Sequence, residues 1–260
     1  MRRRLADRLL KVYVWLILGW LFAPILVMIA FGFNDTASKS NVSWQGFTLK
    51  WWTRLDEYPD LTTAVLNSIY LALLSVAVTT VLGTLLGLAL GRYRFRGQGA
   101  TNLVMFAAIS SPELVMGASL LSLFISLGVD MGFWTAVIAH VLFSLSFVAI
   151  TVRARVVGLD PSIEEAARDL GASTWTTFWR ITFPMILPGV VAGALLAFAL
   201  SIDDFVITQF TSGPTQTFPL WIWGATRIGV PPQVNILGTL IFAVGVAIAV
   251  VNSVTARRRA

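Results

Sequence analysis

Six long runs of apolar residues constrain this chain more than any other feature of its sequence. They span Val12–Phe33, Ala64–Gly91, Leu103–Leu127, Gly132–Val152, Ile186–Phe210 and Val234–Val254. A helix rises about 1.5 Å per residue, so roughly 20 apolar residues cross the hydrocarbon core of a bilayer. Backbone amides in lipid must be paired within their own segment, which favours helices. The sequence therefore predicts an all-α membrane protein with six transmembrane helices.

The composition agrees with a bilayer as solvent. Of the 260 residues, 57% are hydrophobic and 12% are charged, whereas soluble domains average about 25% charged residues. The chain has no cysteine, which excludes disulfides and thiolate chemistry within it. The net charge of +6 does not indicate nucleic acid, because the arginines stand in short loops between apolar runs. We expect one transmembrane domain over residues 1–260.

The distribution of basic residues predicts the orientation. An even number of spans puts both termini on one side, and that side holds fifteen of the nineteen lysines and arginines: Arg2, Arg3, Arg4, Arg8, Lys11, Arg92, Arg94, Arg96, Arg153, Arg155, Arg168, Arg180, Arg257, Arg258 and Arg259. By the positive-inside rule this side is the cytoplasm. We therefore expect a multi-pass protein of the inner (cytoplasmic) membrane with cytoplasmic termini.

Two stripes of small residues indicate close helix packing. Residues of this kind recur every four positions in the second and fifth runs, at Gly83, Gly87 and Gly91 and at Gly189, Gly193, Ala197 and Ser201. Small side chains at this spacing let two helix backbones approach closely in a membrane. Packing alone is a sufficient reason for both stripes.

The loop between the fourth and fifth runs, residues 153–185, is predicted to form a helix–turn–helix on the cytoplasmic face. Asp160-Pro161 suits a helix start, and Gly171 suits its end. Ser173 can cap a second short helix, which Pro184 is expected to stop. A loop of this kind can also be an amphipathic segment that only rests on lipid headgroups.

The spacing inside this loop is more specific. Three residues separate Glu165-Ala166-Ala167 from Gly171, nine more precede Ile181, and one more precedes Phe183-Pro184. This pattern resembles the EAA loop of binding-protein-dependent ABC importer permeases, in which leucine is usual where Phe183 stands. The resemblance implies a type I importer permease. It also implies that residues Glu165, Ala166, Ala167, Gly171, Ile181 and Pro184 couple the chain to an ATPase.

The resemblance further implies a division of labour between subunits. Two separate ATPase subunits would dock on loop 153–185 and drive the permease between inward-open and outward-open states. The chain has no G-x-x-x-x-G-K-[ST] loop, and its lysines, Lys11, Lys39 and Lys50, stand in no glycine-rich loop. We therefore expect the partners to bind ATP and magnesium, and we expect neither a cofactor nor enzyme activity in this chain.

Three acidic residues lie inside the apolar runs, and no lysine or arginine does: Glu113, Asp203 and Asp204. An ionised acid at a helix centre costs roughly 2.5–3.5 kcal/mol on an insertion scale, so such residues are functional candidates. Pro112-Glu113 after two serines indicates a helix start within the third run. We expect Glu113, Asp203, Asp204 and Ser201 to line a path for a cationic substrate. Structural roles remain open, a helix cap for Glu113 and a hydrated outer end for the aspartates.

A narrower resemblance concerns the segments around these acids. The strings Pro112–Gly117 and Ser201–Thr208, with Gly213 and Pro219 downstream, are similar to those of spermidine/putrescine permeases. With the six-run plan and the inner loop, the resemblance covers essentially the whole chain. It implies a second permease of a different chain and an extracellular protein that delivers the polyamine.

Other functions stay open at this point. The chain could be an ABC permease for another organic cation or small solute. It could be an ion-driven transporter whose acids relay protons, although that leaves the inner helix–turn–helix unexplained. Ser119 and the single histidine, His140, could form the dyad of an intramembrane serine protease.

Overall fold

The computed structural model describes residues 2–257, and the side chains of residues 7–247 and 250. Arg258 and Arg259 of the predicted cytoplasmic basic group lie outside the described residues. The helices are α1 (Arg2–Phe31), α2 (Pro59–Arg92), α3 (Gln98–Ser110), α4 (Glu113–Ser126), α5 (Phe133–Val157), α6 (Ser162–Asp169), α7 (Thr174–Thr177), α8 (Phe183–Ile202), α9 (Val206–Thr211), α10 (Phe218–Ala225) and α11 (Pro232–Arg257), with 3₁₀ turns at Lys50–Thr53 and Leu55–Glu57. In this part of the chain the only strand-like pairing is an isolated bridge between Asn34 and Phe47. The predicted all-α class is confirmed.

Several helices match the length that a bilayer requires. Four are long and apolar enough to cross alone: Asp7–Phe31, Pro59–Arg92, Phe133–Val157 and Thr174–Ile202. Helices α3 and α4 meet at an angle of 110° and have the required length and apolar character only as a pair, as in a broken span or a re-entrant loop. The described apolar part of α11, Pro232–Ala247, is shorter. The structure therefore supports four or five of the six predicted spans by length.

The chain packs as two compact units, one of residues 1–59 with 222–260 and one of residues 60–221. In the first unit α1 packs against α11, and Met28 fills the space beside Gly238. The loop after α1 is organised around the buried Asn34, whose side-chain amide donates to Asn41 Oδ1 and to the Ser43 carbonyl, both at 2.7 Å. The polar loop of this unit is therefore ordered by internal hydrogen bonds.

In the second unit α5 is the central helix, and both small-residue stripes pack against it. A Cβ built on Gly83 of α2 would lie 2.7 Å from Val148 Cγ1, and one built on Gly193 of α8 would lie 3.1 Å from the same atom. A Cβ on Gly87 would lie 2.7 Å from the Ala149 carbonyl oxygen. Helices α2 and α8 therefore both approach α5 so closely that a Cβ on these glycines would be tighter than an ordinary contact, as the spacing predicts.

Candidate functional site

The third apolar run is broken where the sequence predicts a helix start. Helix α3 ends at Ser110, Ser111 and Pro112 are extended, and Glu113 is the first residue of α4. The residue at the N-cap position is Pro112, and no side chain caps α4. The predicted break is thus confirmed, and proline rather than one of the two preceding serines occupies the capping position. The Glu113 side chain is exposed rather than folded back onto the helix.

The fifth run is also broken, which the sequence did not predict. We expected one helix over 186–210, but α8 ends at Ile202 and α9 begins at Val206. Asp204 Oδ1 accepts the Ile207 N–H at 3.3 Å, and Asp204 Oδ2 accepts the Thr208 N–H at 2.7 Å. An aspartate that binds backbone N–H groups in this way starts a new helix instead of continuing the old one. The two acids therefore lie in a turn between two helices.

A buried chain of hydrogen bonds joins this turn to the central helix α5. His140 Nδ1 lies 2.7 Å from Ser201 Oγ, and its Nε2 lies 2.9 Å from Thr208 Oγ1. Thr208 Oγ1 in turn lies 2.7 Å from Asp204 Oδ2. His140 is 2% exposed, Ser201 is 4% exposed and Thr208 is fully buried.

For a neutral imidazole and an ionised Asp204, the partners leave one consistent order of donors. Asp204 accepts the Thr208 hydroxyl proton, so Thr208 Oγ1 can accept the His140 Nε2–H, and His140 Nδ1 accepts the Ser201 hydroxyl proton. This tautomer is assigned from the partners. The ring nitrogens are thus bonded to Ser201 and Thr208, while Ser119 is exposed on α4. The Ser119–His140 dyad therefore has no geometric basis.

The four residues predicted to line a path separate into two pairs. Asp204 and Ser201 are buried in the hydrogen-bond chain. Glu113 and Asp203 have exposed side chains. The two exposed acids stand at related places, because α4 packs against α9, with the Phe210 ring and Ile207 beside Gly117. Glu113 begins α4, whereas Asp203 is the C-cap residue of α8, three residues before α9 begins.

The inner loop forms two helices where the sequence predicts them. Asp160 Oδ1 accepts the Ser162 N–H at 2.9 Å, which lowers the Asp160 pKa below its ordinary value. Gly171 has φ of 87°, in the left-handed region that favours glycine. Ser173 Oγ accepts the Thr176 N–H at 3.2 Å and caps α7. These three local predictions are confirmed.

The end of the second short helix was predicted wrongly. Pro184 does not stop it, because the helix continues from Thr174 to Ile202 through a π-helical turn at Phe178–Thr182. The Phe183 N–H bonds to the Phe178 carbonyl, five residues back, and Pro184 stands within the first residues of α8. The wider turn accommodates a residue that has no N–H to donate. The loop therefore runs directly into a membrane-spanning helix.

The loop presents one face to solvent and ties the other to the chain. Glu165, Ala166 and Gly171 are exposed and Pro184 is exposed at the start of α8, whereas Ala167 is buried and Ile181 is half-buried. Trp175 and Trp179 are 72% and 46% exposed and contact each other edge to face, with 5.6 Å between ring centroids. The aromatic residues of the loop are therefore open to a partner.

A neighbouring acid, Glu164, makes an ion pair and a hydrogen bond with residues outside its own helix. Glu164 Oε2 lies 2.7 Å from Arg92 Nη2 at the end of α2, and its Oε1 accepts the Thr182 hydroxyl at 2.8 Å. Burial raises the pKa of Glu164, but the Arg92 and Thr182 hydrogen bonds and the Arg92 and Arg168 charges lower the pKa more. The carboxylate is thus held ionised. No group of three or more potential metal ligands occurs among the described residues.

Comparison with known proteins agrees with this architecture. Two solved ABC transporters share the fold, the first of them bacterial. The first is involved in import of the acidic polysaccharide alginate, with a TM-score of 0.69, 16% identity and coverage of 98% of this chain and 96% of the other. The second is an amino acid ABC transporter, with a TM-score of 0.61, 18% identity and coverage of 82% and 100%.

Closer sequence relatives occur among curated proteins. The spermidine/putrescine permease PotC of Escherichia coli is 39% identical over 242 residues, 93% of this chain and 91% of the relative. The putrescine permease PotI of the same species is 39% identical over 244 residues, 90% of this chain and 86% of the relative. PotC of Haemophilus influenzae is 37% identical over 95% of each chain. Residues 83–257 also match the family described as binding-protein-dependent transport system inner membrane component. The chain belongs to this family of ABC importer permeases.

Proposed function

We propose that this chain is the permease subunit through which an ATP-driven importer passes a polyamine of the spermidine/putrescine class. The observation that carries the proposal is the identity of 39% over more than nine-tenths of the chain to PotC. A match over 93% of the chain spans both broken helices and the inner loop. The fold neighbours do not bear on the substrate, because their identity is 16–18%.

The substrate path is proposed to use the exposed acids Glu113 and Asp203. Glu113 stands at the start of α4 and Asp203 in the turn after α8, each within an apolar run that holds no lysine or arginine. A protonated amine would satisfy such a carboxylate at membrane depth, where an unpaired charge is costly. Asp204 and Ser201 are proposed to stabilise the wall of this path rather than to contact the substrate, because their polar atoms already form hydrogen bonds within the chain.

The inner loop is proposed to receive a separate ATPase subunit. Glu165 and Ala166 are exposed on α6, and Trp175 and Trp179 are exposed on the helical segment that follows it. Interfaces of this kind take most of their stability from buried aromatic side chains. Two ATPase subunits, which bind ATP and magnesium, a second permease of a different chain and an extracellular binding protein complete the importer. The loop and both termini then face the cytoplasm.

The experiment is reconstitution of the whole importer with its binding protein in liposomes. ATP hydrolysis and uptake are measured with spermidine, with putrescine and with no amine. We expect stimulation by a polyamine that Glu113→Gln and Asp203→Asn each reduce. Asp130→Asn is the matched control, because Asp130 is an exposed acid in the turn between α4 and α5.

Three outcomes contradict parts of the proposal. If another organic cation stimulates ATP hydrolysis and neither polyamine does, the chain is a permease whose substrate is not a polyamine. Amine uptake that proceeds in the absence of ATP and of ATPase subunits indicates an ion-driven carrier instead. Isolation of the importer with this chain as its only permease species contradicts the second, different permease.

A further inference from the structure

The carboxylate of Glu164 joins three segments of the second unit. It pairs with Arg92 at the end of α2 at 2.7 Å, accepts the Thr182 hydroxyl in the π-helical turn at 2.8 Å, and lies 3.6 Å from Arg168 on its own helix. The Glu164 side chain is 13% exposed and that of Arg92 is 19% exposed. Partial burial shields the pair from solvent, unlike an ion pair on an open surface.

Helix α6 has little else to hold it. Ala167 is its only buried residue. Its other face is open, with Ile163, Glu165 and Ala166 exposed and with Leu170, just beyond the helix, 90% exposed. The face that carries Glu164 and Ala167 is thus bound to the chain, and the opposite face is free for a partner. These positions are three residues apart and share one side of a helix.

Glu164 contacts the end of α2 and the start of α8, and both of these helices pack on the central helix α5. Helix α2 packs on α5 through Gly83 and Gly87, and α8 packs on α5 through Gly189 and Gly193. Packed helices at these distances move together, because protein interiors are dense and deform little. A displacement of α6 is therefore transmitted to the membrane-spanning helices only if the contacts of α6 with α2 and α8 are rigid.

We infer that Arg92, Glu164 and Thr182 form a clamp that makes α6, the end of α2 and the start of α8 one rigid element. Force applied to the open face of α6 then moves both membrane helices together. Glu164 and Arg92 are positioning residues that link ATP use to transport. This inference rests on the proposed docking of an ATPase subunit at the loop and does not depend on which substrate is carried.

The first test is a double-mutant cycle in the reconstituted importer, with spermidine uptake per ATP hydrolysed as the readout. Glu164→Gln and Arg92→Gln should each lower this ratio by about fivefold or more, the lower end of the range for coupling between two sites. The double variant should lose no more than either single variant, because both changes remove the same contact. Losses that multiply would overturn the clamp.

A control separates the clamp from docking of the partner. Asp169→Asn removes an exposed carboxylate from the same helix, so it should leave the ratio unchanged. Co-purification of the ATPase subunits is measured for every variant. If Glu164→Gln lowers the ratio only in proportion to lost ATPase subunits, Glu164 is a docking residue and the inference is wrong.

The second test needs no transported substrate. This chain has no cysteine, so Arg92→Cys with Glu164→Cys places the only two thiols of the chain at the clamp. A short, reducible methanethiosulfonate cross-linker should join them at equal rates in the nucleotide-free and the vanadate-trapped importer, and cross-linked importer should still hydrolyse ATP. Cross-linking in one state only, or ATP hydrolysis that stops and returns on reduction, would show that α6 slides on α2. If polyamines do not stimulate the wild-type importer, the proposed substrate is wrong, but the cross-linking test can still be carried out.

Discussion

Replacement of Asp204, compared with replacement of its neighbour Asp203, distinguishes a structural role of a carboxylate from a role in uptake. The Asp204 carboxylate accepts two backbone N–H groups and the Thr208 hydroxyl in a buried turn. Asp204→Ala leaves the Ile207 and Thr208 N–H groups without their acceptor, while the Thr208 hydroxyl can still turn to the Asp204 carbonyl at 3.2 Å. At about 1–3 kcal/mol for each unsatisfied buried group, the expected loss of stability is about 2–6 kcal/mol.

Asp204→Asn has a smaller expected effect. An amide keeps the shape and one acceptor, so it can satisfy either the Ile207 or the Thr208 N–H and opposes the other with its own NH₂ group. One conflict costs about 1–3 kcal/mol. We therefore expect the importer to assemble with Asp204→Asn but to lose uptake, because the start of α9 and the adjacent Asp203 shift.

The assay compares assembled importer, its thermal melting and spermidine uptake for the two aspartates. Asp203→Asn is the matched control: its side chain is exposed, so it should lower uptake without lowering the melting temperature. Wild-type melting of Asp204→Ala would refute the hydrogen-bond reasoning. Equal losses of assembly and uptake in Asp204→Asn would make this acid purely structural.

Three further predictions follow from the same structure. Gly87→Ala should reduce the amount of assembled importer, because its Cβ would meet the Ala149 carbonyl oxygen at 2.7 Å and such overpacking costs about 1–3 kcal/mol. Gly99→Ala, with no atom within 4 Å, should leave that amount unchanged. Expression and melting of the two variants check this. Trp175→Ala should weaken co-purification of the ATPase subunits and leave melting unchanged, since the ring is 72% exposed, while Trp134→Ala, at 68% exposed on α5, serves as the control. The pKa of Glu164 is depressed, so the stability that the clamp contributes should be complete above the ordinary glutamate pKa of about 4.3 and be lost only as the pH falls through the lower folded-state pKa. A difference in melting between wild type and Glu164→Gln that shrank between about pH 8 and about pH 6 would contradict this assignment, because a carboxylate with a lowered pKa stays ionised there.

Local sequence rules predicted the features that depend on a few adjacent residues. The start of α6 near Asp160, the left-handed Gly171 and the Ser173 cap each follow from the chemistry of one side chain beside its own backbone. The break before Glu113 follows in the same way from Pro112. These predictions hold because their partners lie within four residues.

Predictions failed where the deciding partner is distant in sequence. The acidic pair was placed within a continuous helix, since apolar residues flank it on both sides. The structure instead ends α8 there, and His140 from α5, more than sixty residues earlier, completes the buried chain of hydrogen bonds. Pro184 was expected to stop a helix, because the π-helical turn that accommodates it leaves no signal in composition or spacing.

The sequence by itself determined that this protein lies in a membrane, that its fold class is all-α and to which family it belongs. Apolar runs of membrane length, the loop pattern from Glu165 to Pro184 and the acids within the runs are all readable in one dimension. Only the tertiary structure decided which acids are open and which are engaged. Glu113 and Asp203 are exposed, whereas Asp204 is closed by His140 and Thr208, and Glu164 is fixed by Arg92 from another helix. The physical reason is that the availability of a charge depends on the partners that folding brings within hydrogen-bond distance, and those partners come from far along the chain.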